Sequence, residues 1–148
     1  MHARKQLRDE VVSLLTGLTS TGARVFADRL QSRPLAIDEL PALMVSTGAE
    51  AIEVGTIHVN GLVNRELDLD VAAVIRAASG LDDALDQISA EVETVLGGQS
   101  LAGGGAEIAL YAIDAPVFEG SGETPVAQQV MRFRVSYSTA ANAPQTII

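Results

Sequence analysis

Glu66-Leu67-Asp68-Leu69-Asp70-Val71-Ala72-Ala73-Val74-Ile75 is the stretch whose reading decides the fold. Leu67, Leu69, Val71, Ala73 and Ile75 alternate with Glu66, Asp68, Asp70 and Ala72, a period of two. Successive side chains of a strand point to opposite faces, so this segment is a strand with one face in a core. Upstream, Val54, Thr56, His58 and Asn60 alternate with Gly55, Ile57, Val59 and Gly61 as an exposed or edge strand. Asn60-Gly61 is a strong hairpin signal, so residues 54–78 read as one long hairpin.

Helices follow on both sides. Leu7, Val11, Leu14, Leu15 and Leu18 form one stripe of a 3.6-residue period, closed by Gly17 and Thr19-Ser20-Thr21-Gly22. After Ser79-Gly80, Leu81, Leu85, Ile88, Val92 and Val95 form a second stripe, with Asp82 and Asp83 in the first turn and Gly97-Gly98 at the stop. Ala23–Ala27 and the continuously apolar Pro41–Ser46 are short strand candidates, separated by a loop over 28–38. Leu101 to Gly105 reads as a flexible connector. The strands 106–118 and 126–138 then flank an acidic, glycine-rich tip, Glu119 to Pro125, and the tail 139–148 is small and polar around Pro144. The order α-β-β-β-β-α-β-β predicts an α+β fold. It is an antiparallel or mixed sheet with two main helices packed on one face and projecting hairpins. Residues 1–148 contain no repeat and no internal boundary, which predicts a single domain.

Composition narrows the function. At 148 residues, 47% hydrophobic, the chain can bury a core without staples. Cysteine and Trp are absent, which excludes disulfides, thiolate metal sites and cysteine nucleophiles. The aromatics are Phe26, Phe118, Phe133, Tyr111 and Tyr137, too few for base-stacking platforms. The opening residues are charged and amphipathic rather than apolar, so no signal peptide is expected, and no segment is apolar enough over its length to span a bilayer. A cytosol-like compartment, or a particle built in one, is the expected location. The net charge of −9 divides into +3 over residues 1–33 and −12 over the remainder. An acidic body repels phosphate, which argues against sequence-specific nucleic-acid binding. The polarity suits head-to-tail contact between copies, or simply one basic helix face in water.

Chemistry is hard to place. His2 and His58 are the two histidines, and each reads as an ordinary surface residue rather than part of a triad. Glu66, Asp68 and Asp70 line one strand face, the pattern of any half-exposed strand, and no ligand-spaced loop accompanies them. Gly103-Gly104-Gly105 lacks the Gly-Lys-Ser/Thr ending of a phosphate loop and precedes a strand. No catalytic, cofactor or metal site is expected, and the protein reads as a non-enzyme.

The order and phrasing of the whole chain resemble the tail-terminator proteins of long-tailed phages, the group of the lambda-type minor tail protein U. The resemblance lies in the opening His2 to Asp9 through Leu14-Leu15-Thr16-Gly17-Leu18, leading into Thr21-Gly22-Ala23-Arg24-Val25-Phe26. It continues in Glu39-Leu40-Pro41-Ala42-Leu43-Met44-Val45, in strand 62–77 followed by helix 81–96, and in Pro125 to Thr139 closing with Pro144. It implies a structural virion protein at the tail–head junction, assembled in the bacterial host cytoplasm, with no cofactor and no catalysis. It implies a homohexameric ring that caps the tail tube, ends tube polymerisation and receives the head or neck connector, with DNA passing through the lumen. Its partners would be itself, the tail-tube protein and the connector protein. Arg4, Lys5, Arg8, Glu119, Glu123, Arg132 and Arg134 are the charged candidates for contact. Two other readings compete: an oligomeric small-molecule-binding regulatory module, and a metal-dependent enzyme using Glu66, Asp68 or Asp70.

Overall fold

The computed structural model describes residues 1–27, 39–54, 61–119 and 125–148. Its elements are α1 (Ala3–Leu15), β1 (Val25–Ala27), β2 (Ala42–Val54), β3 (Leu62–Arg76), α2 (Leu81–Leu96), β4 (Ser100–Leu101), β5 (Ala106–Ile113), β6 (Val117–Glu119), β7 (Val126–Ala140) and β8 (Ala143–Ile147), with a 3-10 turn at Ala102–Gly104.

The alternating stretch is β3, and it lies in the middle of one mixed eight-stranded sheet ordered β1-β2-β3-β7-β5-β4. β3 and β7 pair antiparallel without interruption from Leu62↔Ala140 to Arg76↔Val126. β2 flanks β3 antiparallel, and β1 joins β2 in parallel. On the far side of β7, three shorter strands share one long neighbour: β6 at Val126–Gln128, β5 from Met131 to Tyr137, and β8 at Thr139–Ala140.

Period-two patterning sends Leu67, Leu69, Val71, Ala73 and Ile75 of β3 and Met131, Phe133, Val135 and Tyr137 of β7 to the same face. Both helices pack there. α1 contributes Ala3, Leu7, Val11 and Leu15, and α2 contributes Leu85, Ile88, Val92 and Leu96, to one continuous core. His2 caps α1, its Nδ1 accepting from the Arg4 amide at 3.1 Å, a paired end rather than a frayed one. α2 stops at Gly97, where a Cβ would lie 2.6 Å from the Glu93 carbonyl oxygen, so only glycine fits. Glu91 of α2 accepts from the Ser20 amide at 2.9 Å and from its hydroxyl, tying α2 to the loop that follows α1.

The α+β class, the two helices and their single face agree with the sequence expectation. Four boundaries differ. The Pro41–Ser46 strand is longer than expected: β2 runs from Ala42 to Val54, with β3 alongside it on both sides of a bulge between Thr47 and Glu50. The 106–118 strand splits into β5 and β6 at Asp114–Pro116, where proline removes a ladder donor. The 101–105 connector contains β4 and the 3-10 turn. The polar tail folds back as β8. The loop 28–38, His58 with residues 55–60, and the acidic tip at 120–124 lie outside the described residues.

Leu69 is fully buried against the helices, whereas Glu66 faces away from them. Leu69→Ala is expected to lower the unfolding free energy by about 2–5 kcal/mol in urea titration, whereas Glu66→Gln changes it by less than ~0.5 kcal/mol. Equal effects would show that the two faces are misassigned.

Candidate functional site

Two polar clusters sit on opposite faces of the sheet. The first is on the helix face, near the N-terminus of α1. Arg65 shares the inward parity of Leu67 and Leu69, so its guanidinium enters the protein rather than solvent. Its Nη1 donates to Glu50 Oε1 at 2.8 Å and its Nε donates to Thr139 Oγ1 at 3.0 Å. The side chains of Arg65 and Glu50 are only 9% and 6% exposed. The Tyr137 hydroxyl donates to the other Glu50 oxygen. Each charge is thereby met, which is the condition for leaving a buried ion pair in place. The cluster fixes the β2–β3–β7 register at this end: a one-residue slip of β2 along β3 would turn Glu50 away from Arg65 and set it opposite Glu66 or Asp68.

Burial, then the hydrogen bond to the Glu50 carboxylate, pushes the Tyr137 phenol well above its ordinary value of 10.0. An ionised tyrosine is thus disfavoured here, which does not suit an acid–base catalyst working near neutral pH.

The second cluster is the open face. Asp70 and Asp68 stand directly opposite Arg132 and Arg134 across the β3–β7 ladder. Arg132 Nη1 donates to Asp70 Oδ2 at 3.2 Å, while its Nε and Nη2 hold Asp114, the Nη2 contact at 2.7 Å. Those bonds from Arg132 hold the Asp114 carboxyl below its ordinary value. Burial raises Asp70, an effect that Arg132 opposes. Arg134 lies 3.5 Å from Asp68 and 4.5 Å above the Tyr111 ring, a cation–π contact. Of the acidic row considered as metal ligands, Asp68 and Asp70 are in cross-strand ion pairs with arginines, and Glu66 stands opposite Ser136. Among the described residues no group of three or more His, Asp or Glu is placed to hold a metal.

The remaining charged candidates separate. Arg4 and Lys5 are exposed on α1, Lys5 pairing with Asp9 at 2.6 Å. Arg8 is half-buried and donates to Thr47 Oγ1 at 3.1 Å, which lays α1 over β2. Glu119 is exposed on β6, and Glu123 lies outside the described residues. The structure brings together Arg132 and Arg134, and it places Arg4 and Lys5 on a different element from Glu119.

Sequence reasoning missed the Glu50–Arg65–Tyr137–Thr139 cluster. The parity of Arg65 within β3 is the one signal that could have found it. It also missed the edge. Tyr111, Ile113, Val117 and Phe118 are all about half-exposed on β5 and β6. Beside them a groove of about 380 Å³ is lined by Leu96, Gly97, Ile108, Leu110 and Phe133, between the end of α2 and β5. No helix of the described residues is long and apolar enough to cross a membrane.

No known family's sequence profile matches the chain, and no curated protein sequence does. Among solved structures, a chain described as "Virion of native gene transfer agent (GTA) particle" is similar to it. The two are 22% identical with a TM-score of 0.42, over 91% of this chain and 92% of that one.

The direction of the Tyr137 shift has a stability consequence. A phenol harder to ionise when folded contributes stability that is whole below pH 10.0 and is lost as pH rises above it. Urea midpoints measured from pH 8 to 11, a range set by the free phenol value of about 10, are expected to fall at the alkaline end. In Tyr137→Phe that alkaline fall should flatten, on a neutral-pH baseline lowered by about 1–3 kcal/mol. Parallel alkaline profiles for the two proteins would contradict the assignment.

Proposed function

We propose that the protein is a structural component of a phage or phage-like virion, a tail terminator whose copies close into a ring, in keeping with the resemblance to that family. The observation that carries the reading is a pair of edges, on opposite sides of one sheet, that no outer strand covers over most of their length among the described residues. Among the described residues, β1 pairs with β2 only at Leu43–Val45 and β4 pairs with β5 only at Ala106 and Glu107. Among the described residues, Ser46–Val54 of β2 and Ile108–Ile113 of β5 have no strand on their outer side. Monomers usually cover or charge such edges, and half-exposed aromatic and aliphatic side chains on one of them favour assembly.

In this reading two different patches meet between successive copies, and closure of the ring removes every free edge. A closed ring offers the tube no further growing end. The ring has six copies, its lower face sits on the last layer of tube protein, and its upper face receives the connector. Its residues bind and exclude rather than react. The histidines are a helix cap and a residue outside the described segments, and Asp68, Asp70 and Asp114 of the open face are paired with arginines.

The test is a tube-length assay. Tail-tube protein from the same particle is polymerised with and without the purified chain, and the products are measured by electron microscopy. Short tubes bearing a terminal ring are expected when it is present. Tubes of unchanged length with bare ends would defeat the proposal.

A further inference from the structure

Independently of the ring reading, we propose that the strip over β5 and β6 on the helix face, beside α2, receives an amphipathic helix of another protein, its apolar stripe flanked by Lys or Arg.

Register puts this strip on the core face of the sheet. Leu110, Ile113 and Phe118 lie opposite Phe133, Met131 and Ala127, three residues buried beneath the helices. Ile113 and Phe118 are nonetheless 43% and 53% exposed, because the helix layer stops short of them. The Ser89 hydroxyl of α2 donates to Gln129 Oε1 at 3.5 Å, and Gln129 Nε2 donates to the Asp114 carbonyl at 3.2 Å. The flank of α2 therefore ends above β7, with the end of β5 and all of β6 beyond it. Spacing gives the reason: strands lie ~4.8 Å apart and packed helices about 8–10 Å, so two helices cover roughly four strands. The sheet is six strands across, β1-β2-β3-β7-β5-β4. Toward the end of α2 the strip deepens into the groove of about 380 Å³ floored by Ile108, Leu110 and Phe133.

Charge identifies the occupant. α2 carries Asp82, Asp83, Asp86, Glu91 and Glu93 and no Lys or Arg. Glu91 is turned away, toward Ser20. Glu93 lines the groove, and Asp86 and Asp82, seven and eleven residues earlier, share its side of the helix and are exposed. Among the described residues none of these three is in an ion pair. Asp82 and Asp86 are a like-charge pair one turn apart, which a cation alongside would relieve. A basic flank on the occupant meets this wall while its apolar stripe covers Leu110, Ile113 and Phe118.

A helix suits the strip better than an added strand. The bulge between Leu110 and Ala112, and Pro116 between β5 and β6, interrupt regular backbone pairing, so side chains must make the contact. A second copy has no described helix to give. α1 buries its stripe of Leu7, Val11 and Leu15 in its own core, and α2 is itself acidic. The occupant is thus a third helix in the layer, supplied by a partner as in helix-in-groove recognition.

The test uses a synthetic peptide of about 16 residues, ~24 Å long as a helix, with Leu at every third or fourth position and Lys on both flanks. Binding is read by fluorescence anisotropy, helix gained by the peptide by circular dichroism, and the protein's oligomeric state by light scattering on the same samples. Ile113→Asp with Phe118→Asp, and separately Asp86→Lys with Glu93→Lys, are each expected to weaken binding at least about tenfold. Both pairs are exposed, and melting temperatures should stay near the wild type. The charge-reversed variant should instead bind the same peptide made with Glu in place of Lys, although the chain as a whole remains acidic. Equal binding by wild type and both variants overturns the proposal, as does a bound peptide that gains no helix. Peptide that dissolves a wild-type oligomer would assign the strip to a second copy and overturn it as well. A monomeric chain that binds the peptide as described defeats the ring reading and supports this one.

Discussion

Everything in this protein hangs on one ladder, the uninterrupted antiparallel pairing of β3 with β7. It joins residues between 50 and 78 positions apart in the chain, Arg76 with Val126 the nearest and Leu62 with Ala140 the farthest, by backbone bonds that neither strand could satisfy alone once buried. Its register decides which residues face the helices. With Leu69 opposite Phe133 and Val71 opposite Met131, the apolar sets of both strands coincide. The same register puts Asp68 against Arg134 and Asp70 against Arg132 on the other face. A slip of one residue would bury the charges and expose the core, so the two faces specify the pairing jointly.

From that ladder the rest follows outward. The helices cover one face and bury it. The open face stays soluble through paired charges rather than through isolated acids. What the ladder cannot supply is a cover for both margins of the sheet. Among the described residues, β1 and β4 each protect only the first few residues of their neighbours. The long strands at the centre are wider than the short strands at the sides can close, and the unclosed stretches are where the half-exposed Tyr111, Ile113, Val117 and Phe118 gather. Buried salt bridge and hydroxyl contacts at Glu50, Arg65 and Tyr137 hold the β2 side in register, so the edge is offered in one fixed shape.

Local patterns made much of this fold legible. The alternation of β3, the alternation of β7 from Met131 to Tyr137, and both helical stripes are periodic over enough residues to stand without tertiary help. The boundaries that differed are those set by neighbours. β2 continues across a bulge at Gly48 and Ala49, residues with little strand preference, because β3 lies alongside. β8 forms from a polar tail because β7 extends past Ser138 to receive it. The candidate surface was less legible than the fold. Exposure of Phe118 and Ile113 depends on which side of β7 is left uncovered, and that is a property of strand order, which local sequence does not carry. Net charge separated a basic start from an acidic remainder; the structure lays α1 across the sheet, over β2 through Arg8 and Thr47 and against β8 through Gln6 and the Gln145 carbonyl, with Glu119 exposed on β6.

The central claim is closed self-assembly through unlike edges. Native mass spectrometry of the wild-type chain over a wide concentration range tests it most directly. The account predicts one dominant closed species, a hexamer, with few intermediates between it and the monomer. A protein that remains monomeric throughout, or that grows as an open ladder of every size, would contradict it.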